Sequence, residues 1–312
     1  MKILFTGASS FTGYWFVREL AAAGHEVTAV FRGEAGGYTD AIRRERVALL
    51  ADLCRPVHGC SFGDDKFLAL AGGGGFDVLC HHAADVTNYK RPDFDALGAV
   101  ANNARSLPAV LAALKSGGAR RVVLTGSVFE GGEGSGSQGL PDFSPYGFSK
   151  RLTAEVFRFY CERDGLSLGK FVIPNPFGPY EEPRYTAYLI KNWLAGATPS
   201  CSNPLYVRDN IHVSLLAKVY ARFVSELPET PGFAQINPMG YAESQGAFTL
   251  RLAEAMRPRF NLPCEVELKK QTAFPEPRVR INTDVPDADA LGWDESTAWD
   301  EMAEYYQRNR AE

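Results

Sequence analysis

The 312-residue sequence has no run of lysine and arginine, and its 33 basic residues are outnumbered by 37 acidic ones, giving a formal charge of -4. A nucleic-acid surface needs a basic patch or stripe, so nucleic acid is not an expected partner. No stretch approaches the roughly twenty apolar residues of a membrane span, and the opening Met1-Lys2-Ile3-Leu4-Phe5 lacks the long apolar region and cleavage site of a signal peptide. The cysteines Cys54, Cys60, Cys80, Cys161, Cys201 and Cys264 are scattered, without a Cys-x-x-Cys pair, so reduced thiols and no metal site are expected. Together these absences predict a cytoplasmic protein with no membrane partner. There is no internal repeat to suggest a solenoid.

What is present is the composition of a packed core: 45% hydrophobic and 22% charged residues, far from the profile of a disordered chain. The length suits one large domain or about two interleaved ones. Through the first two-thirds, short apolar runs alternate with helical patterns, which predicts an α/β fold with a doubly wound parallel sheet covered on both faces. Strands are expected at 2–5, 26–31, 76–81, 121–124 and 168–173, with helices at 14–23, closed by Gly24, and at 109–115. Residues 1–173 form the first expected domain. Beyond them the chain turns irregular and proline-dotted, so residues 174–312 are read as a smaller, interleaved α/β region, with 233–237 returning as a strand to the main sheet. Of two glycine-rich tracts, 72–75 reads as a connector and 131–139 as a mobile lid.

The strongest local signal is Thr6-Gly7-Ala8-Ser9-Ser10-Phe11-Thr12-Gly13, which follows a strand and opens a helix. That context suits a dinucleotide: Gly7 permits the tight turn, the helix N-terminus offers N–H groups to a pyrophosphate, and Gly13 lets helix and strand pack closely. Ser10 replaces the usual middle glycine and can still donate to a phosphate. The first domain is therefore expected to be an NAD(P)-binding Rossmann domain, with Gly7, Ser9, Ser10, Phe11, Thr12 and Gly13 at the cofactor. The next strand ends at Phe31-Arg32 with no acidic residue for a ribose 2′-OH, so Arg32 is assigned to a 2′-phosphate; NADP(H) is favoured and NAD(H) remains an alternative. Tyr146 and Lys150 fall at i and i+4 on one helix face, where an ammonium lowers a phenol's pKa toward working pH.

In order along the chain, these residues resemble the extended short-chain dehydrogenases/reductases of the NAD-dependent epimerase/dehydratase type. His81-His82-Ala83-Ala84, Asn102-Asn103, Val122-Val123-Leu124-Thr125-Gly126-Ser127-Val128-Phe129, Pro174-Asn175-Pro176-Phe177-Gly178-Pro179, Arg208-Asp209-Asn210-Ile211-His212-Val213 and Leu291-Gly292-Trp293 carry the resemblance beyond the glycine turn and the Tyr146/Lys150 pair. It implies a triad in which Thr125 hydrogen-bonds the substrate oxygen, Tyr146 exchanges a proton with it and Lys150 holds the nicotinamide ribose. Ser127, on the same strand face, is a second hydroxyl at the substrate. It further implies Ala83, Ala84, Asn103 and Pro174 at the cofactor. Asn175, Arg208 and either Arg278 or Arg280 would grip the diphosphate of a nucleotide sugar. A homodimer is expected by the same resemblance, whereas His81 and His82 are read as packing residues.

Three departures from the family pattern bear on the site. The dehydratases of the family carry Asp-Glu after the threonine, and Gly126-Ser127 stands here, which argues against water loss. Glu130 stands where glycine is frequent, an unplaced carboxylate read as a candidate substrate contact, and Val172 where arginine is frequent. The favoured expectation is an NADPH-dependent oxidoreductase acting on a keto group of a nucleotide-linked sugar. A nucleotide-sugar 4-epimerase with retained NAD(P) is the alternative within enzymes, and an NADP(H)-binding redox sensor the alternative outside them.

Overall fold

Short β-branched and aromatic runs with no polar face can be satisfied only inside a sheet covered on both sides, and such runs build the centre of the computed structural model, which describes residues 1–309. The last three residues of the 174–312 segment lie outside the described residues. The chain divides into two units, the first comprising Met1–Glu133, Pro141–Ile173 and Ala217–Asn237.

In the first unit the order is β1 (Lys2–Thr6), α1 (Phe11–Ala22), β2 (Glu26–Val30), α2 (Ala41–Leu49), β3 (Arg55–Val57), α3 (Asp65–Gly73), β4 (Val78–His81), α4 (Ala96–Asn103), α5 (Leu107–Ser116), β5 (Arg121–Ser127), α6 (Pro145–Asp164) and β6 (Ser167–Ile173). The strand Gly232–Ile236 returns to pair with β6, as the sequence pattern predicts. Seven strands lie in the order Gly232–Ile236, β6, β5, β4, β1, β2, β3, and each neighbouring pair is parallel. The Rossmann-type α/β fold expected from the sequence is thus present. Strand order reverses between β1 and β4, which leaves a crevice at their carboxyl ends, the usual ligand position in open sheets.

Several boundaries differ from the sequence expectation, each for a tertiary reason. β5 runs on to Ser127 because β6 keeps pairing with it as far as Ile173. α1 starts at Phe11, where Ser10 caps it, and α3 takes in Gly72 and Gly73, so only the end of that glycine tract is connector. The 131–139 tract is not a free lid: the Gly131 amide donates to Asp142, Glu133 is buried, and Ser135 bridges to Ile281. One continuous core, including Phe67, Leu79, Leu111, Leu114, Val122 and Phe157, joins the sheet to α3, α5 and α6.

The second unit comprises Gly134–Leu140, Pro174–Leu216 and the chain from Pro238 onward. Its four-stranded sheet combines Asn175–Phe177, Val207–His212, Tyr241–Ser244 and Val279–Arg280. Phe177, Trp193, Phe248, Trp299 and Met302 form its core with the helices Tyr185–Leu194, Gln245–Phe260 and Glu295–Arg308. The six cysteines are free, as the sequence predicts.

Candidate active site

The glycine turn exists in this form only because two side chains are missing. Gly7 has φ +85°, and a Cβ there would stand 2.7 Å from the Ala83 amide nitrogen; a Cβ on Gly13 would stand 2.2 Å from the Gly7 carbonyl oxygen. Ser10 takes over the cap of α1, its Oγ accepting from the Gly13 amide at 3.1 Å and donating to the Gly7 carbonyl at 2.9 Å. No acidic residue occupies the first turn, so its amides other than that of Gly13 and the positive end of the helix dipole are available to an anion. These residues fit a dinucleotide pyrophosphate, with Ser9, Phe11 and Thr12 completing the turn. Beneath it, the buried Arg46 of α2 donates from Nε to the Ser9 carbonyl at 3.0 Å. Sequence reasoning missed Arg46, because an arginine among the charged residues of an amphipathic helix reads as solvated.

The loop after β4 is tied down from both sides. Thr6 Oγ1 accepts from the Ala83 amide at 3.1 Å, and Asn103 Oδ1 accepts from the Asp85 amide at 2.8 Å, while Asn103 Nδ2 donates to Thr153. Asn103 is therefore a buried strut for the loop that carries Ala83 and Ala84. His81 lies between the Thr6 hydroxyl and the Asn103 carbonyl, 3.0 Å from each, and packs on Phe62 and Phe157. It is the packing residue the sequence suggested. Arg32 is exposed just beyond β2 and makes no hydrogen bond or ion pair among the described residues. Against burial, hydrogen bonds from Thr87 and Asn102 hold the Asp85 carboxyl below its usual pKa, and the Arg32 charge adds to that pull.

At the carboxyl end of β5 stand Thr125 and Ser127. α6, capped by Ser144, brings Lys150 to them: buried, its Nζ donates to the Thr125 carbonyl oxygen at 2.5 Å. Burial pulls the Lys150 pKa down to about 8, with Glu130 opposing and Lys170 reinforcing the shift. One turn earlier, the half-buried Tyr146 packs its ring on Tyr89 at 5.2 Å and edge-on against Phe94 at 6.2 Å. The Thr125 hydroxyl is 3.0 Å from Nδ1 of His82, whose Nε2 is 3.0 Å from both Ser10 Oγ and Thr12 Oγ1. His82 therefore joins the glycine turn to Thr125, a role its position at the end of a buried strand concealed.

In the second unit, Pro174 is buried and Asn175 Nδ2 donates to the Asp209 carbonyl at 3.0 Å. The Arg208 guanidinium is engaged, 2.9 Å from Glu276 and stacked 4.4 Å over the Tyr206 ring. Arg278 is exposed with its guanidinium over Phe274, whereas Arg280 is buried. Of the later two arginines, Arg278 is the one open to a ligand. Among the described residues no group of three or more His, Cys, Asp or Glu is arranged to hold a metal, and no helix is long and apolar enough to cross a membrane.

The family model for the NAD-dependent epimerase/dehydratase family matches residues 3–237. The chain belongs to that family. No curated protein sequence matches it. Among solved structures, a UDP-glucuronic acid 4-epimerase from Bacillus cereus, in complex with UDP-glucuronic acid and NAD, is 18% identical with a TM-score of 0.73, covering 99% of this chain and 100% of that one. A dTDP-glucose 4,6-dehydratase from Streptomyces venezuelae, with NAD bound, is 22% identical with a TM-score of 0.71 over 100% of this chain and 98% of that one. A UDP-glucose 4-epimerase from Thermotoga maritima, with UDP-glucose, is 18% identical with a TM-score of 0.72, covering 99% of each chain. At these identities the likeness is one of fold.

Within this epimerase/dehydratase fold, the two sequence departures around β5 prove to be one feature. Glu130 is fully buried rather than facing a substrate: its Oε1 accepts from the Ser127 amide at 2.7 Å and its Oε2 lies 2.6 Å from Lys170 Nζ. The same Nζ lies 2.6 Å from Glu133, which also accepts from Gln235 and Asn237. Burial raises the Glu130 carboxyl against the pull of Lys170, and the two carboxylates raise Lys170 against its own burial. A Cβ on Gly126 would stand 2.8 Å from Lys170 Cε and 3.0 Å from Glu130 Oε1. Glycine at 126 and glutamate at 130 are therefore coupled by space.

Proposed function

We propose that the chain is an NADPH-dependent oxidoreductase that reduces a keto group of a nucleotide-linked sugar, with Thr125, Tyr146 and Lys150 at the reacting carbon. The observation that carries the reading is Lys150 Nζ on the Thr125 carbonyl, which brings the α6 pair to the end of β5 beside the glycine turn. The nicotinamide, when bound, supplies the hydride. The chain's own part is to move a proton at the Tyr146 hydroxyl, to hold the ribose with Lys150 and to orient the oxygen with the β5 hydroxyls. Gly7, Ser9, Ser10, Phe11, Thr12, Gly13, Ala83, Ala84 and Pro174 surround the cofactor in this reading, with Asn103 bracing the loop. The exposed, uncommitted Arg32 supports NADP(H) over NAD(H).

Asn175, Arg208 and Arg278 are assigned to the substrate's diphosphate. Arg208 would first have to exchange Glu276 for phosphate oxygens, a trade its planar guanidinium suits. The deciding experiment is Tyr146→Phe. It should lower turnover on a nucleotide keto-sugar by orders of magnitude, with NADPH affinity nearly unchanged, because only the transferable proton is removed. Unchanged turnover would overturn the mechanism. A second reading, a 4-epimerase that retains its cofactor, is favoured by the NAD named in the Bacillus cereus epimerase complex. Tightly held NAD in the purified protein would decide for it.

A further inference from the structure

His82 touches both the glycine turn and the β5 hydroxyl, and its protonation can be worked out by counting protons. Burial, reinforced by the Lys150 charge, pulls its pKa down to about 3, so the ring is neutral and carries a single N–H. Ser10 Oγ has one proton and two neighbours that bear lone pairs, the Gly7 carbonyl at 2.9 Å and His82 Nε2 at 3.0 Å. The carbonyl cannot donate. Both contacts are attractive only if Ser10 gives its proton to Gly7 and His82 gives the Nε2 proton to Ser10, shared with Thr12 Oγ1 at 3.0 Å. Nδ1 is then bare, and its contact with Thr125 at 3.0 Å is a hydrogen bond only if the threonine donates.

We infer that His82 is a positioning residue which binds the Thr125 hydroxyl proton through Nδ1 and is itself oriented by Ser10 and Thr12, so that Ser127 rather than Thr125 donates to the substrate oxygen. The Ser127 hydroxyl oxygen accepts from the Phe129 amide at 3.2 Å, and its own proton has no acceptor among the described residues. Thr125, its proton committed, offers the site lone pairs alone and can accept from Tyr146 or from a substrate hydroxyl. A developing alkoxide needs a donor, which Ser127 supplies. The inference rests on the proposed reaction for its last step, whereas the tautomer of His82 does not depend on it.

Nitrogen-15 NMR of histidine-labelled protein without substrate tests the tautomer, with His82→Asn identifying the resonance pair. The expected result is a protonated Nε2 and an Nδ1 that moves in Thr125→Val while Nε2 stays. A protonated Nδ1 overturns the inference whatever the enzyme does. Kinetics test the consequence. His82→Leu should lower turnover by about 10²-fold, as loss of alignment at a reacting group does. His82→Asn, whose Oδ1 can take the Thr125 proton, should recover most of that loss; His82→Gln, which reaches only toward Ser10 and Thr12, should recover cofactor affinity and not turnover. Ser127→Ala should cost more turnover than Thr125→Val, and the reverse order overturns the donor assignment. If the Nε2–H tautomer is found and no variant or wild type reduces a nucleotide keto-sugar, the reaction fails and the histidine's role stands.

Discussion

At Lys150 a single charge is poised close to neutrality by its surroundings. Burial lowers its pKa to about 8, while the Glu130 carboxylate favours the ammonium. In the proposed mechanism the ammonium is the working form, present below that pKa and lost above it, so turnover should fall as pH rises through about 8. Glu130→Gln deletes the supporting charge and should move this alkaline limb to lower pH. A pH–rate profile of both proteins checks it, and an unmoved limb would separate Glu130 from Lys150. Arg32 offers a second test at this scale. Arg32→Glu should weaken NADPH binding far more than NADH binding, because a phosphate partner is replaced by a like charge. Titration with both cofactors decides; equal weakening, or equal wild-type affinities, would remove the NADPH assignment.

At the scale of elements, the junction of β1 and α1 reverses an ordinary helix rule. Replacing glycine by alanine inside a helix usually stabilises by about 0.5–1 kcal/mol. At Gly13 the new Cβ would meet the Gly7 carbonyl at 2.2 Å and Ser10 Oγ at 2.7 Å. The carbonyl is backbone and cannot step aside without opening the turn. Gly13→Ala should therefore destabilise by about 1–3 kcal/mol, the range for overpacking, and abolish cofactor binding. Urea unfolding and cofactor titration would show this, and a more stable variant would contradict the packing argument. The glycine pattern made the turn legible in the sequence. Its fastening by Arg46 and His82 was not legible, because both contacts cross between elements distant in the chain.

For the whole molecule, the homodimer expected from the sequence is a proposal open to a direct test. Leu97 on α4 is 69% exposed and Phe159 on α6 is 63% exposed, large apolar side chains on two helices of the same unit. Exposed apolar groups of this size are candidate positions for association. The wild type should sediment as a dimer, and Phe159→Glu, which puts a charge at an exposed apolar position of α6, should shift it toward monomer. A monomeric wild type would refute the expectation.

Periodic and local signals determined the parallel sheet, the glycine turn and the placing of Tyr146 and Lys150 on one helix face, because strand pattern, a glycine's φ and an i, i+4 spacing are properties of neighbouring residues. The return of Gly232–Ile236 to β6 was also readable, from a strand-like run in the second half of the chain, although the strand it forms is largely exposed at the sheet edge. Tertiary structure alone decided the fate of the polar side chains. Glu130 looked like a free carboxylate at the substrate, and burial beside Lys170 and Glu133 made it a structural charge instead. Arg208 was found holding Glu276, and His82 became a bridge rather than a packing residue. Which partner a buried donor or acceptor finds depends on what the fold brings within about 3 Å, and no spacing along the chain encodes that distance.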